Sequence, residues 1–150
     1  GTSMNYKGIS LTANFSWVAD RWMFNNDRFF EESNGLYSAY NQSKRLLYDR
    51  WKEPGDVTDI PRYGVTPQMD SRFLEDASFL RLKNVMLSYS FPEQLLRKSK
   101  VFQGLRIYAQ VQNPFTFTKF SGLDPEGTSN IYAAQYPMAR QFTFGLDLTF

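Results

Sequence analysis

The last stretch of the chain alternates between large apolar residues and small or polar ones. The apolar positions are Phe142, Phe144, Leu146, Leu148 and Phe150, and between them lie Thr143, Gly145, Asp147 and Thr149. Because successive side chains of a β-strand point to opposite faces, this pattern predicts a strand over 140–150 with one strongly apolar face. Such a face suits a strand that meets lipid on one side and a wet lumen on the other, as in an outer-membrane barrel.

Three further segments have the same period of two and predict strands over 5–18, 79–91 and 105–120. The first alternates through Ile9, Leu11, Ala13, Phe15 and Trp17, the second through Val85, Leu87, Tyr89 and Phe91, and the third through Leu105, Ile107, Ala109 and Val111. Pro92 ends the second strand because proline cannot donate to a ladder. Asn113-Pro114 predicts a break or bulge in the third. The fold class predicted is all-β, an antiparallel set of transmembrane barrel strands with long loops.

The connections between these strands differ in length, and this predicts a topology. Residues 19–78 form a long region rich in Asn, Asp, Ser, Gly and Pro, with a short helix expected inside Ser38–Trp51. Barrels of the outer membrane have short periplasmic turns and long extracellular loops. Counting back from a periplasmic C-terminus makes 19–78 and 121–139 extracellular and 92–104 periplasmic.

The alternation also assigns faces. We expect these residues to face the membrane: Ile9, Leu11, Phe15, Val85, Leu87, Ile107, Val111, Phe144 and Leu146. We expect these to face the lumen: Asn14, Ser88, Arg106, Gln110 and Gln112.

Composition is compatible with this interpretation but does not decide it. Aromatic residues make up 17% of the chain while the mean hydropathy is −0.47. Alternating strands dilute hydropathy, and interfacial girdles need aromatic rings. A soluble β-sandwich that binds carbohydrate would have a similar composition, so that class stays open.

The chemistry of the side chains excludes several functions. Seventeen basic and fifteen acidic residues leave a net charge of only +2, which argues against a nucleic-acid partner. Cysteine and histidine are absent, which removes disulfides, thiolate metal sites and the usual general base. The acidic residues Asp56, Asp59, Asp70, Asp124 and Glu126 do not have the spacing of a calcium loop and are interpreted as turn residues. The basic group Arg97, Lys98 and Lys100 is interpreted as a solvated turn. We therefore expect no catalytic residues, no metal and no cofactor, and interpret the chain as not an enzyme.

Several segments resemble the C-terminal barrel segment of a SusC/RagA-type TonB-dependent outer-membrane transporter. They are Asn5–Leu11, Asp49–Trp51, Asp59–Arg62, Asp76–Asn84, Leu87–Pro92, Leu105–Tyr108, Gln112–Asn113, Phe115–Thr118, Ser121–Glu126 and the terminal strand. The resemblance runs in order through nearly the whole chain. It covers only the tail of a plugged barrel of about 22 strands.

The resemblance implies a function, a location and partners. The function is TonB-dependent import of an oligosaccharide or a peptide across the bacterial outer membrane. The partners are a SusD-like surface lipoprotein, outer-membrane lipid and TonB, which would be contacted through N-terminal regions outside this sequence. A passive porin-like barrel is the alternative that lacks a plug.

Two sets of residues are candidates for contacts. The terminal strand resembles the signal that the barrel assembly machinery reads in outer-membrane proteins, carried here by Thr143, Gly145, Leu148 and Phe150. Aromatic residues of the predicted extracellular loops could stack on ligand or pack against a partner, or could pack the loops themselves: Trp22, Tyr37, Tyr40, Tyr132 and Tyr136.

Overall fold

A computed structural model describes residues 1–97 and 101–150, which form two compact units. The first, called here the strand unit, comprises Gly1–Ala19, Phe79–Thr118 and Met138–Phe150. The second, called the loop unit, comprises Asp20–Ser78 and Lys119–Pro137. Two members of the basic group, Lys98 and Lys100, lie outside the described residues.

The strand unit is one antiparallel sheet of five strands. The strands are β1 (Thr2–Tyr6), β2 (Ile9–Val18), β5 (Phe79–Ser90), β6 (Gly104–Thr118) and β8 (Gln141–Thr149), in the order β1-β2-β5-β6-β8. A short helix, α3 (Glu93–Leu96), lies in the connection between β5 and β6. Within residues 1–97 and 101–150, no helix is both long enough and apolar enough to cross a membrane.

The first predicted strand, 5–18, is wrong as a single element, because it contains the end of β1, a turn and all of β2. Lys7 and Gly8 form the turn, with φ of 47° and 85°, and Tyr6 pairs with Ile9 across it. Positive φ at both central residues is the geometry of a tight hairpin turn whose twist matches the twist of its strands. The sequence carries a local signal for this turn: Gly8 follows Lys7, and the apolar series that starts at Ile9 does not extend back through Lys7.

The register between the strands sorts the side chains into cross-strand rows of alternating character. One row contains Leu11, Leu87, Ala109 and Phe144, and the next contains Thr12, Met86, Gln110 and Thr143. Every residue expected to face the membrane lies in an apolar row, and every residue expected to face the lumen lies in an intervening row. The two sets therefore lie on opposite faces of the sheet, as predicted, and the assignment of those faces to membrane and lumen stays a prediction.

A bulge keeps the apolar face continuous. Between two consecutive rows, β2 advances from Asn14 to Phe15, while the register on β5 steps over Lys83 from Asn84 to Leu82. On β6 it steps from Gln112 to Phe115, and Asn113 there has a φ of 50°. Strict alternation from Val85 would place Leu82 and Leu80 on the polar face. The extra residue returns both to the apolar face, opposite Phe15 and Trp17.

The loop unit has regular structure of its own, whereas the sequence predicted little beyond one short helix. A three-stranded sheet contains β4 (Leu74–Asp76), β3 (Trp22–Asn25) and β7 (Ile131–Tyr132) in that order. Strands β3 and β4 are antiparallel, and β3 and β7 are parallel. The helices are α1 (Asn26–Glu31), α2 (Arg45–Tyr48) and a 3₁₀ turn at Ser71–Phe73.

Two apolar groups hold the loop unit together. Met23, Ala77, Phe120 and Tyr132 form a buried cluster. Aromatic rings form the other group, in which Phe29 contacts Phe73 edge-on with centroids 5.3 Å apart. Asn25 caps α1 by accepting a hydrogen bond from the N–H of Arg28. A segment that a sequence pattern treats as loop thus buries enough apolar surface to order itself.

We predict that Gly8→Ala destabilises the sheet more than Gly55→Ala. Both glycines have positive φ, so both substitutions incur about 1 kcal/mol of backbone strain. Only at Gly8 would the new Cβ meet a backbone atom, the Ser90 carbonyl oxygen at 2.6 Å; at Gly55 the space is open. Thermal unfolding of the full-length protein, followed by circular dichroism, measures the difference. Equal losses at the two sites would contradict the proposed steric role of this turn.

Candidate functional site

Arg28, on α1, lies at the centre of a network of charged side chains in the loop unit. Its guanidinium contacts Glu32 at 2.9 Å, Asp59 at 2.9 Å and Glu75 at 3.2 Å. It also donates to the Arg72 carbonyl oxygen at 3.2 Å. One side chain thereby joins α1, the loop at residue 59 and strand β4.

Arg45, on α2, adds a second guanidinium that shares two of these partners. It lies 2.7 Å from Glu32 Oε1 and 2.8 Å from Asp59 Oδ1, with Asp49 at 3.5 Å. The side chain of Glu32 is only 1% exposed. Removal of one partner from a buried ion pair leaves an uncompensated charge, so this network constrains the conformation of the loop unit.

The segment Ser121–Glu126 completes the network. Its contacts account for the residue types at positions 121, 122 and 124. Ser121 donates from its N–H and its hydroxyl to the two oxygens of Glu75, each at 2.9 Å. Gly122 has no room for a Cβ, which would overlap Phe120 and come within 2.8 Å of the Tyr132 ring. Asp124 is buried and accepts from the N–H of Glu126 at 2.9 Å.

The network shifts the pKa values of its acidic members. Burial alone would raise the pKa of Glu75, but hydrogen bonds from Ser121 and Arg28 outweigh it and lower that pKa. Burial likewise opposes ionisation of Asp59, and the positive charges of Arg45 and Arg28 lower its pKa. Both carboxylates are therefore held ionised by identified partners.

A cavity of about 810 Å³ opens beside the network. Its lining includes the following residues: Asn25, Asp27, Arg28, Glu31, Glu32, Ser43, Arg45, Asp59, Ser121, Leu123 and Tyr132. Within the described parts of the chain, no group of three or more acidic side chains could hold a metal ion.

Tyr132 was a candidate for ligand or partner contact, but the structure places it in the loop-unit core. It is 1% exposed, its ring packs against Phe120 with centroids 5.0 Å apart, and its hydroxyl accepts from the N–H of Leu123 at 2.9 Å. A residue that is 1% exposed has no open ring face on which an external ligand could stack. Tyr132 supports the loop from inside.

The other four aromatic candidates do not form a single surface cluster. Tyr37 and Tyr40 pack with Phe30, and Tyr40 lines a second cavity of about 590 Å³ with Asp27 and Glu31. Trp22 lies on β3 and is exposed, and Tyr136 is almost fully exposed. The sequence had no signal that separated these three environments.

The terminal-strand residues lie on β8 or directly after it. Gly145 is opposite Tyr108, whose ring occupies the space that a Cβ at residue 145 would need. Thr143 pairs with Gln110, and Leu148 with Leu105. Phe150 packs against Phe102 with centroids 5.4 Å apart.

The residues of the charged network were not recognised as a set from the sequence. Asp59 was interpreted as a turn residue, and its partners Arg28 and Arg45 are 31 and 14 positions away. The one local signal was the spacing of Arg28 and Glu32, four residues apart on a helical segment.

Comparison with known proteins agrees with this description. No family model matches the chain. TonB-dependent receptor SusC of Bacteroides thetaiotaomicron is 49% identical over 84 residues, which are 55% of this chain. TonB-dependent receptor P3 of Formosa agariphila is 33% identical over 150 aligned positions, which cover 85% of this chain.

Solved structures give the same result at the level of fold. The RagAB peptide transporter matches over 97% of this chain with 42% identity and a TM-score of 0.88. The RagAB peptide importer in its closed-closed and open-open states gives TM-scores of 0.86 and 0.87. The fold of this segment therefore does not distinguish those two states.

Fold and sequence together define a segment of a TonB-dependent receptor barrel. Within that class, the chain is a segment of the SusC/RagA type of TonB-dependent transporter. It covers 8% and 15% of the two named receptors and 16% of the matching RagAB chain, so it spans less than a sixth of their length. These relatives are named as receptors, importers or transporters, in agreement with the expectation of a chain without catalytic residues.

We predict that the loop unit opens in acid. The pKa values of Glu75 and Asp59 are lowered in the fold, so their stabilisation is present above about pH 4 and is lost as the pH falls through the lowered values. Hydrogen exchange of backbone amides in residues 20–78, corrected for intrinsic rates, should accelerate over that range. Glu75→Gln should accelerate it about tenfold at neutral pH, because Arg28 loses a charged partner.

The matched control for this test is Glu53→Gln. Glu53 is exposed in the same unit, so the substitution makes the same change in net charge outside the network. Exchange in residues 20–78 that is equally fast in the two variants would show that the Glu75 carboxylate does not hold the loop unit together.

Proposed function

We propose that this chain is part of an outer-membrane transporter that imports a nutrient with energy supplied through TonB. The observation that carries the proposal is the sheet of the strand unit, whose one continuous apolar face occurs in a fold that matches the RagAB peptide transporter. The strands would cross the membrane and contribute part of the barrel wall.

The dimensions of the apolar face support this location. From Ile9 to Trp17, β2 spans about 27 Å, and a tilt of about 40° reduces this to roughly 21 Å along the membrane normal. A barrel needs an apolar band of about 25 Å. The face is therefore close to the thickness that a membrane requires.

Aromatic rings lie at both ends of that face, as the girdles of a barrel do. One end contains Tyr6 and Tyr89 in a single row with Ile9, and Phe91 packs against Tyr89 with centroids 4.8 Å apart. The other end contains these residues in its last two apolar rows: Phe15, Trp17, Phe115 and Phe117. Aliphatic side chains occupy most of the middle rows.

We propose that the long connections, 19–78 and 121–139, lie outside the cell and that 92–104 lies in the periplasm. The two-residue turn at Lys7-Gly8 supports this assignment of sides, because the turn is at the same end of the sheet as the 92–104 connection. A turn of two residues is typical of the periplasmic side.

The names of the relatives support a proposal for the cargo and the partners. RagAB is described as a peptide importer, and we propose a peptide or an oligosaccharide as the cargo of this transporter. We also propose a SusD-like lipoprotein as the partner at the extracellular side and TonB as the partner in the periplasm, contacted through other parts of the full-length protein.

Cysteine labelling tests the membrane placement. The chain has no cysteine, and Val57 and Val101 are both exposed. In intact cells, a membrane-impermeant maleimide should label Val57→Cys and should label Val101→Cys only after the outer membrane is permeabilised. Labelling of both positions in intact cells would contradict the topology, and recovery of the protein in the soluble fraction would favour a carbohydrate-binding module.

Uptake measurements test the energy source. Cells that need this protein to grow on a peptide or oligosaccharide mixture should lose that growth when TonB is removed. A porin-like barrel would pass the same nutrient without TonB. Growth that continues without TonB would therefore replace active import with passive diffusion.

A further inference from the structure

The cavity beside Tyr40 is built from one face of α1 and two segments remote from it in sequence. Helix α1 contributes two pairs of residues spaced four apart, which share one face of the helix: Asn26 with Phe30 and Asp27 with Glu31. The remaining lining residues are Tyr40, Asn41, Ala133 and Ala134. The volume, about 590 Å³, is in the range of small-molecule sites.

Tyr40 offers an aromatic surface at this cavity, and its neighbours hold it in place. Its ring packs against Phe30 with centroids 6.0 Å apart and against Tyr37 with centroids 6.4 Å apart. The side-chain nitrogen of Gln42 lies 3.3–3.5 Å from the carbonyl oxygens of these three aromatic residues. Tyr40 nevertheless remains 62% exposed. A tyrosine that is already positioned loses little conformational entropy when a ligand stacks on it.

Ala134, also in the lining, has a backbone conformation that residues with a Cβ rarely adopt. Its φ is 33°. Its N–H donates to both carboxylate oxygens of Asp27, at 2.9 and 3.0 Å, and this contact fixes the segment against α1. Strained residues persist only where their surroundings determine them, and they are concentrated at ligand sites. The conformation of Ala134 therefore marks the cavity as a site independently of the residue types that line it.

The neutral polar groups of the lining are donors as well as acceptors. Among the residues described, the side-chain amides of Asn26 and Asn41 and the hydroxyl of Tyr40 make no hydrogen bond within the chain. An amide has two donors and one acceptor atom, and a phenol both donates and accepts. A sugar hydroxyl can satisfy both kinds of group. An ammonium or a guanidinium only donates and would leave the amide N–H groups unmatched.

The charge of the lining argues against an anionic ligand. Asp27 and Glu31 are acidic, and no basic residue in the described part of the chain lines the cavity. A carboxylate, whether of an acidic sugar or of a peptide, would be repelled. An aromatic surface can instead pack against the apolar C–H groups of a sugar ring, because the face of the aromatic ring carries partial negative charge.

We propose that this cavity binds one sugar ring of a neutral oligosaccharide, which stacks on Tyr40 and hydrogen-bonds through its hydroxyls to Asn26 and Asn41. This inference rests on the proposed function and deepens it, because it names a chemical class for the cargo. Its test is a binding measurement on purified protein. A failure there is distinguishable from a failure of the labelling and growth experiments, which report membrane placement and energy source in cells.

Saturation-transfer NMR on the full-length protein in detergent tests the inference. The probes are neutral trisaccharides of glucose, mannose, galactose and xylose, with trigalacturonate as the acidic comparison and Ala-Ala-Ala as the peptide comparison. At least one neutral trisaccharide should bind saturably at millimolar concentration or below, and more tightly than trigalacturonate. Absence of binding by all four neutral trisaccharides would overturn the proposal. Binding of Ala-Ala-Ala that depends on Tyr40 would also overturn it, since the site would then accept peptides.

Three variants locate the site. Tyr40→Ala should weaken binding of the neutral trisaccharide about tenfold, because the stacking surface is lost. The matched control is Tyr48→Ala, which removes an exposed tyrosine of the same unit outside the cavity and should leave the affinity unchanged.

Asn41→Ala removes an exposed amide that the fold does not use. It should weaken binding severalfold without a change in thermal unfolding, because a hydrogen bond to the sugar is lost. Unchanged affinity in Tyr40→Ala or in Asn41→Ala would place the sugar elsewhere and refute the assignment. Equal weakening in Tyr40→Ala and Tyr48→Ala would refute it as well.

Discussion

The strand unit depends on the requirement that one face of its sheet stay apolar from end to end. With a side-chain period of two, a single uncompensated residue would move every later side chain to the wrong face. The sheet meets this requirement at Lys83, where β5 has one residue more than β2 and β6 has one more than β5. The bulge therefore preserves the apolar rows while it changes strand length. A face interrupted by Arg81 and Lys83 could not lie against lipid.

The loop unit is organised by charge as well as by apolar packing. Its main segments are far apart in sequence, and Arg28 joins several of them through carboxylates at positions 32, 59 and 75. Charged partners are directional and few, so they specify one arrangement among the many that a polar connection of this length could adopt. Two of these carboxylates, Glu32 and Asp59, also line the cavity beside Arg28. In this unit, groups that fix the fold therefore also contribute to the electrostatic character of that cavity.

The sequence predicts the strand unit much better than the loop unit. Periodicity located four of the five main strands to within two residues at nearly every boundary, because each strand repeats its pattern many times. It missed the turn at Gly8, where the prediction joined β1 and β2 into one strand, and it could not show which residues the bulge moves. The charged network was out of reach, since Asp59 and Glu75 acquire their roles only from residues remote in sequence. Tyr132 and Tyr136 look alike in sequence, yet one is buried and the other exposed.

The pairing of Tyr108 with Gly145 has a consequence for how the final strand finds its alignment. The space under the tyrosine ring has no room for a Cβ, and β8 contains a single glycine. A slip of β8 by two residues would bring Thr143 or Asp147 beneath the ring, where their side chains would collide with it. Hydrophobic alternation alone accepts such a slip, because it leaves every apolar residue on the correct face. Gly145 therefore selects one register of β8 among several that hydrophobic alternation alone would allow equally.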